Sequence, residues 1–191
     1  MTSVTELTAV QFVEEVSRQQ HAMAGAVIAL SAAQAAALGQ ACLQISRDRL
    51  GLADAAQPIA RMAEIKASLL QWSDRDAAGI AEFVALREAG ETLAGQRLLC
   101  HAPADVSRLS SEAARILQDF RPSVHERVRD DLEMSLSLLA GTAQAALLLD
   151  SNLRIWAEER PLLAEFEPIL AELIAAIADL APVERIRESR S

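Results

Sequence analysis

Between Gln19 and Ser46 the chain runs QQHAMAGAVIALSAAQAAALGQACLQIS without one charged residue. Alanine is the strongest helix former, and its small side chain lets neighbouring backbones approach closely. A helix that is uncharged on every face has to be surrounded, either by lipid or by other protein. The lipid alternative needs about 20 predominantly apolar residues. Here Gln19, Gln20, His21, Ser31, Gln34, Gln40 and Gln44 interrupt the run, and alanine adds little transfer energy. The run therefore predicts a helix buried among other helices, with no membrane partner.

The rest of the chain agrees. Aromatics are 3% of the residues, tyrosine is absent, and there are 7 glycines and 6 prolines, a profile that suits packed helices rather than strands. Val10, Phe12, Val13 and Val16 lie at helical spacing and predict a first helix from about Thr8 to Arg18. A further helical pattern covers Ile59 to Glu88, where Ser73 stands either mid-helix or as the cap of a restart. Ala89 to Pro103, with two glycines and a proline, reads as a loop, with room for a helical turn from Thr92 to Leu99, and the pattern is helical again from Ala104 to Asp119. Pro122 suits the first turn of a long helix from Ser123 to Trp156, which contains a second small-residue stretch, Leu132 to Leu149. A last helix, Pro161 to Leu180, carries Pro168 as a kink or fresh start. The expected fold is all-α, a bundle of six to eight helices around two central alanine-rich small-residue helices. At 191 residues, the chain is expected to form one domain over residues 1–191.

Several chemistries are excluded. A net charge of -9 without a basic stripe argues against nucleic acid as a partner. The N-terminal residues MTSVTELTAVQFVEEV have no positive start followed by an apolar core, so no secretory signal is expected and the cytoplasm is the expected compartment. Cys42 and Cys100 have no metal-ligand spacing, and there is no H-E-x-x-H, phosphate-binding loop or dinucleotide fingerprint. His101 follows Cys100, but adjacent side chains point apart and no orienting group is visible. His125 lies among Glu126, Arg127 and Arg129 on a charged face.

The order of motifs resembles a known family: a helix with Phe12, Glu14 and Glu15, an alanine-glycine helix with Val27, Ala29 and Leu30, Asp76-Ala77 on the next long helix, a late small-residue helix, and Asn152 with Ile155. It is similar to the cyclodeaminase domain of formiminotransferase-cyclodeaminase and the bacterial methenyltetrahydrofolate cyclohydrolases. The resemblance implies an all-helical homodimer whose ligand is a tetrahydrofolate derivative carrying a one-carbon unit. It aligns the family's glycine-rich turn with Gln20 to Ala26, where Gly25 alone is kept, and implies ligand contacts at Gly25 and Asn152; His21, at the same turn, is placed to replace a polar contact that the altered turn has lost. Asp76 and Asp131, the latter preceded by Asp130, are the implied catalytic carboxylates. Trp156 stands where the family's late motif has a second asparagine.

Hydrolysis of a methenyl bridge adds water to an already electrophilic carbon, so it needs ring positioning and a proton acceptor but few catalytic groups. From the residues alone, Asp74 to Asp76 reads equally as a solvated face, Asn152 as a helix end and His21 as the neighbour of a helix cap. Two functions follow. One is a cyclohydrolase- or cyclodeaminase-like protein of folate-linked one-carbon metabolism. The alternative, suggested by the altered turn, is a non-catalytic helical relative acting as a dimeric partner or regulatory protein.

Overall fold

The computed structural model describes residues 3–18 and 23–181, and every regular element among them is helical. The α-helices are α1 (Ala9–Arg18), α2 (Ala24–Leu50), α3 (Ala56–Glu88), α4 (Thr92–Phe120), α5 (Arg129–Ala145), α6 (Leu148–Ile155) and α7 (Arg160–Ala178). Short 3₁₀ turns precede α1, α3 and α5. Thr8 and Gln11 form a reciprocal cap at the start of α1. The Gln11 N–H donates to Thr8 Oγ1 (3.3 Å) and the Thr8 N–H donates to Gln11 Oε1 (2.9 Å). At the other end of α2 the chain reverses through Gly51, whose φ of 68° is the left-handed conformation that glycine adopts without strain.

Helix α2 packs against α3, α4 and α5 with its alanines inward: Ala26, Ala29, Ala32, Ala33, Ala35 and Ala36 are all buried. Small side chains bring the helices close. A methyl group on Gly39 would lie 2.7 Å from Leu117 Cδ1 of α4 and 2.8 Å from Ser135 Oγ of α5. At this range serine hydroxyls reach carbonyls on neighbouring helices. Ser135 donates to Ala35 O (2.7 Å), Ser107 to Ala143 O (3.1 Å) and Ser73 to Ala26 O (3.3 Å). Around this seam Leu43, Met62, Ile65, Leu69, Leu117, Leu132, Leu136 and Leu139 are fully buried, each contributing about 1.5–3 kcal/mol. A smaller core of Cys100, Leu149, Leu153, Leu162 and Phe166 joins α4, α6 and α7.

Two sequence expectations change, and two open alternatives are decided. The predicted loop Ala89 to Pro103 is mostly helix. Gly90, at φ 83°, makes the turn, and α4 begins at Thr92 and runs through Pro103. The predicted helix Ser123 to Trp156 is divided into α5 and α6 by a turn at Ala146–Leu147. Helix α3 does not restart at Ser73, whose hydroxyl is buried against α2 instead, and α7 continues through Pro168.

The uncharged run is also less enclosed than its composition implies. Helix α2 and the stretch Glu126–Ile155 are long and apolar enough to cross a membrane by length and composition, and about half of each is enclosed in the bundle. On the open side α2 exposes Gln34, Ala37, Leu38 and Ile45, and α5 exposes Met134 and Leu138.

Candidate functional site

The first turn of α2 is built against the middle of α3. Gly25 lies so close to Asp76 that a methyl group on it would overlap the carboxylate, with Oδ2 at 2.6 Å and Oδ1 closer still. The absence of a side chain at position 25 therefore lets Asp76 reach the backbone. Its carboxylate accepts a hydrogen bond from the Ala26 N–H, one of the amides that a helix start leaves without an intrahelical partner. Burial pushes the Asp76 carboxyl above the ordinary carboxylate range, against the opposing pull of that amide.

Two residues earlier on α3, Asp74 has a different setting. It accepts from Ser3 Oγ (2.8 Å), Thr5 Oγ1 (2.8 Å) and the Thr5 N–H (3.2 Å). Burial pushes its carboxyl up, but these bonds outweigh it and hold Asp74 below the usual value. Asp74 thus fastens the N-terminal segment to α3, while Arg75 is exposed, with its guanidinium 5.2 Å from the centre of the Trp72 ring. The triplet is neither one solvated face nor one site.

Asp76 and Gly25 open onto a cleft of about 220 Å³ whose other walls include Ile80, Leu99, Pro103, Leu148 and Asn152. The Asn152 Nδ2 group donates to Leu99 O (2.9 Å) across the gap between α6 and α4. Because a carbonyl only accepts, this contact fixes which end of the Asn152 amide is nitrogen. The cleft therefore offers a carboxyl group, an amide and the first turn of a helix within largely apolar walls, the composition expected of a small-molecule site.

Of the residues predicted from sequence, Gly25, Asp76 and Asn152 come together here. His21 lies outside the described residues. Asp131 is not at this cleft. It is exposed in the first turn of α5, near Cys42, whose thiol is pushed up to about 11 by burial and then by the Asp131 charge. Cys42 is seventeen positions beyond Gly25 on α2, or about 25 Å along the helix axis. Sequence reasoning missed Leu99 and Pro103 because it placed them in a loop with at most a helical turn up to Leu99, and Ile80 and Leu148 because nothing distinguished them from core residues. Trp156 is accounted for by packing, with its ring centre 6.1 Å from that of Phe83.

The sequence model described as formiminotransferase-cyclodeaminase matches residues 8–161, most of the chain and all of the residues around the cleft. The chain belongs to this family. Among solved structures, it is similar to a formiminotetrahydrofolate cyclodeaminase from Thermotoga maritima, with a TM-score of 0.75, 19% sequence identity and 92% coverage of both chains. At that identity the likeness establishes a shared fold. No curated protein matches the sequence significantly. Placing the chain in the formiminotransferase-cyclodeaminase family accounts for the motif order: the helix carrying Phe12, the turn at Gly25, Asp76 and the Asn152 segment all fall within the matched range.

Proposed function

We propose that this chain acts on, or binds, a tetrahydrofolate derivative carrying a one-carbon unit, with the cleft at the start of α2 as its site. The observation that carries the reading is the convergence of Gly25, Asp76 and Asn152, from three different helices, on one cleft. In this reading Asp76 handles the proton, and Gly25 and Asn152 contact the ligand.

The chemistry suits such a group. In hydrolysis of a methenyl bridge, water adds to the carbon between two nitrogens and gives up a proton, which ionised Asp76 accepts, and one C–N bond then breaks to leave a formyl group. In cyclodeamination, a second folate nitrogen, outside the reduced ring, closes on the formimidoyl carbon and the bond to the departing ammonia breaks, with protonated Asp76 supplying a proton to the departing nitrogen. A carboxyl raised from its ordinary range lies closer to neutrality, where it can give or take a proton effectively. When ionised, it also favours a cationic methenyl group beside it.

The exposed apolar residues Leu38 and Ile45 of α2 and Met134 and Leu138 of α5, on two helices packed together, support a homodimer that covers them. Asp131 is exposed three residues before Met134, so its place in this reading is at the subunit boundary. The burial of about half of each apolar stretch inside the bundle supports core helices rather than membrane spans, and in this reading the protein works in the cytoplasm.

One observation favours the non-catalytic alternative: the Asp76 carboxylate already serves the start of α2 through the Ala26 N–H. Titration of the purified protein with a methenyl-folate distinguishes the two, with absorbance following hydrolysis and equilibrium dialysis following binding. Binding with turnover supports the enzyme, and binding without turnover supports a carrier or regulatory role. No binding at millimolar ligand overturns the folate reading.

A further inference from the structure

Helix α4 carries Pro103 in its interior, a position that normally kinks or breaks a helix because proline has no N–H for the carbonyl four residues earlier. The carbonyl left without its intrahelical donor is that of Leu99. It is this carbonyl that receives the Asn152 side-chain amide, at 2.9 Å. The donor missing from α4 is thus replaced by one from α6, and Leu99, Pro103 and Asn152 all line the same cleft as Asp76 and Gly25.

We propose that Pro103 is a positioning residue for the site. By withholding its own N–H, it keeps the Leu99 carbonyl open to Asn152, and the resulting bond holds the Asn152 amide in one orientation. The nitrogen end is then engaged on α4. The carbonyl end, Oδ1, accepts from none of the described residues and is left to receive a donor from a ligand. A freely rotating asparagine would offer donor and acceptor alternately, whereas a fixed one recognises a ligand N–H or O–H group. The inference rests on the reading above in assigning Asn152 to ligand contact.

In Pro103→Ala an N–H returns to position 103 and competes for Leu99 O. Alanine also suits a helix interior far better than proline, so the variant is expected to fold and to melt at the same or a higher temperature. Losing one ordered hydrogen bond to the ligand is expected to weaken methenyl-folate binding about fivefold, in KM or Kd, with kcat unchanged. Asn152→Leu, which can neither donate to Leu99 O nor accept from the ligand, is expected to weaken binding similarly. Because both substitutions break one link, the double variant is expected to be no worse than either single one.

A ligand-free readout accompanies these measurements. The side-chain amide protons of Asn152, assigned by their loss in Asn152→Leu, are expected to exchange slowly in the unaltered protein and quickly in Pro103→Ala. Unchanged exchange in Pro103→Ala overturns the proposal. So does unchanged affinity where the unaltered protein binds. If the unaltered protein binds no methenyl-folate, the folate reading fails, and the exchange rates still decide whether Pro103 positions Asn152.

Discussion

Two glycines on one helix, Gly25 and Gly39, do different work. At each, an added methyl group would collide with a neighbouring helix. At Gly39 the obstacles are Leu117 and Ser135, which belong to the buried seam of α2, α4 and α5. At Gly25 the obstacle is the carboxylate of Asp76, half-buried at a cleft. The same property, the lack of a side chain, closes the core near the middle of α2 and leaves a carboxyl group against the backbone at its start. Small-residue composition marks close approach and does not say what is approached.

If that division is right, the two regions of α2 respond differently to substitution. The largest effect is expected at the cleft. Asp76→Asn should lower turnover of a methenyl- or formimidoyl-folate by roughly 10²–10⁴-fold, measured by absorbance, as expected on removing a general acid or base. Its effect on stability has the opposite sense. The folded-state value of Asp76 is raised above its unfolded value, so its stabilising contribution is fully present below the unfolded value. That contribution is lost as pH rises through the folded value. Asparagine removes this dependence, so in urea melts at neutral pH the variant should be no less stable than the unaltered protein.

In the packing region, Gly39→Ala should cost about 1–3 kcal/mol in urea melts, because both neighbouring helices must give way, and should leave ligand affinity unchanged. Gly25→Ala is its counterpart. Its obstacle is the end of a side chain that can rotate away, so stability should fall by less, while displacement of the carboxylate should weaken ligand binding about tenfold, or ~1.4 kcal/mol, by equilibrium dialysis. Loss of stability at Gly25 equal to that at Gly39, with affinity intact, would make both glycines packing residues.

Smaller effects sharpen the contrast. Cys42 is buried in the packing half of α2, with its thiol pushed up to about 11. It should label with a thiol reagent at pH 8 only after unfolding, and sooner in Gly39→Ala than in Gly25→Ala. Leu138→Lys, on the exposed strip of α5, should change monomer stability by less than about 0.5 kcal/mol. In light scattering it should reduce the mass from dimer to monomer. A dimer that survives would place the subunit contact elsewhere.

Most helices were legible from apolar spacing, because a helix that packs on a core must repeat its apolar residues along one face. Pro103 was not. Proline reads as a break unless something satisfies the freed carbonyl, and the donor, Asn152, lies 53 positions beyond Leu99. The half-open face of α2 was also hidden, since an uncharged sequence looks the same whether its neighbours come from its own chain or elsewhere. Gly25, Asp76 and Asn152 were identifiable as a set through their match to a family pattern. Spacing alone left Asp76 indistinguishable from Asp74, which hydrogen bonds from Ser3 and Thr5 turn into a fastening. Asp131 matched as a carboxylate, but it stands at the end of α5 remote from the cleft, a distinction that residue type does not carry.

The division of α2 into a packing half and a ligand-binding end is tested most directly by backbone amide chemical shifts during titration with a methenyl-folate. The account predicts perturbations at Gly25, Ala26, Asp76, Leu99 and Asn152, with Gly39, Cys42 and Ser135 unmoved. Perturbations centred on Gly39, or none at millimolar ligand, would contradict it.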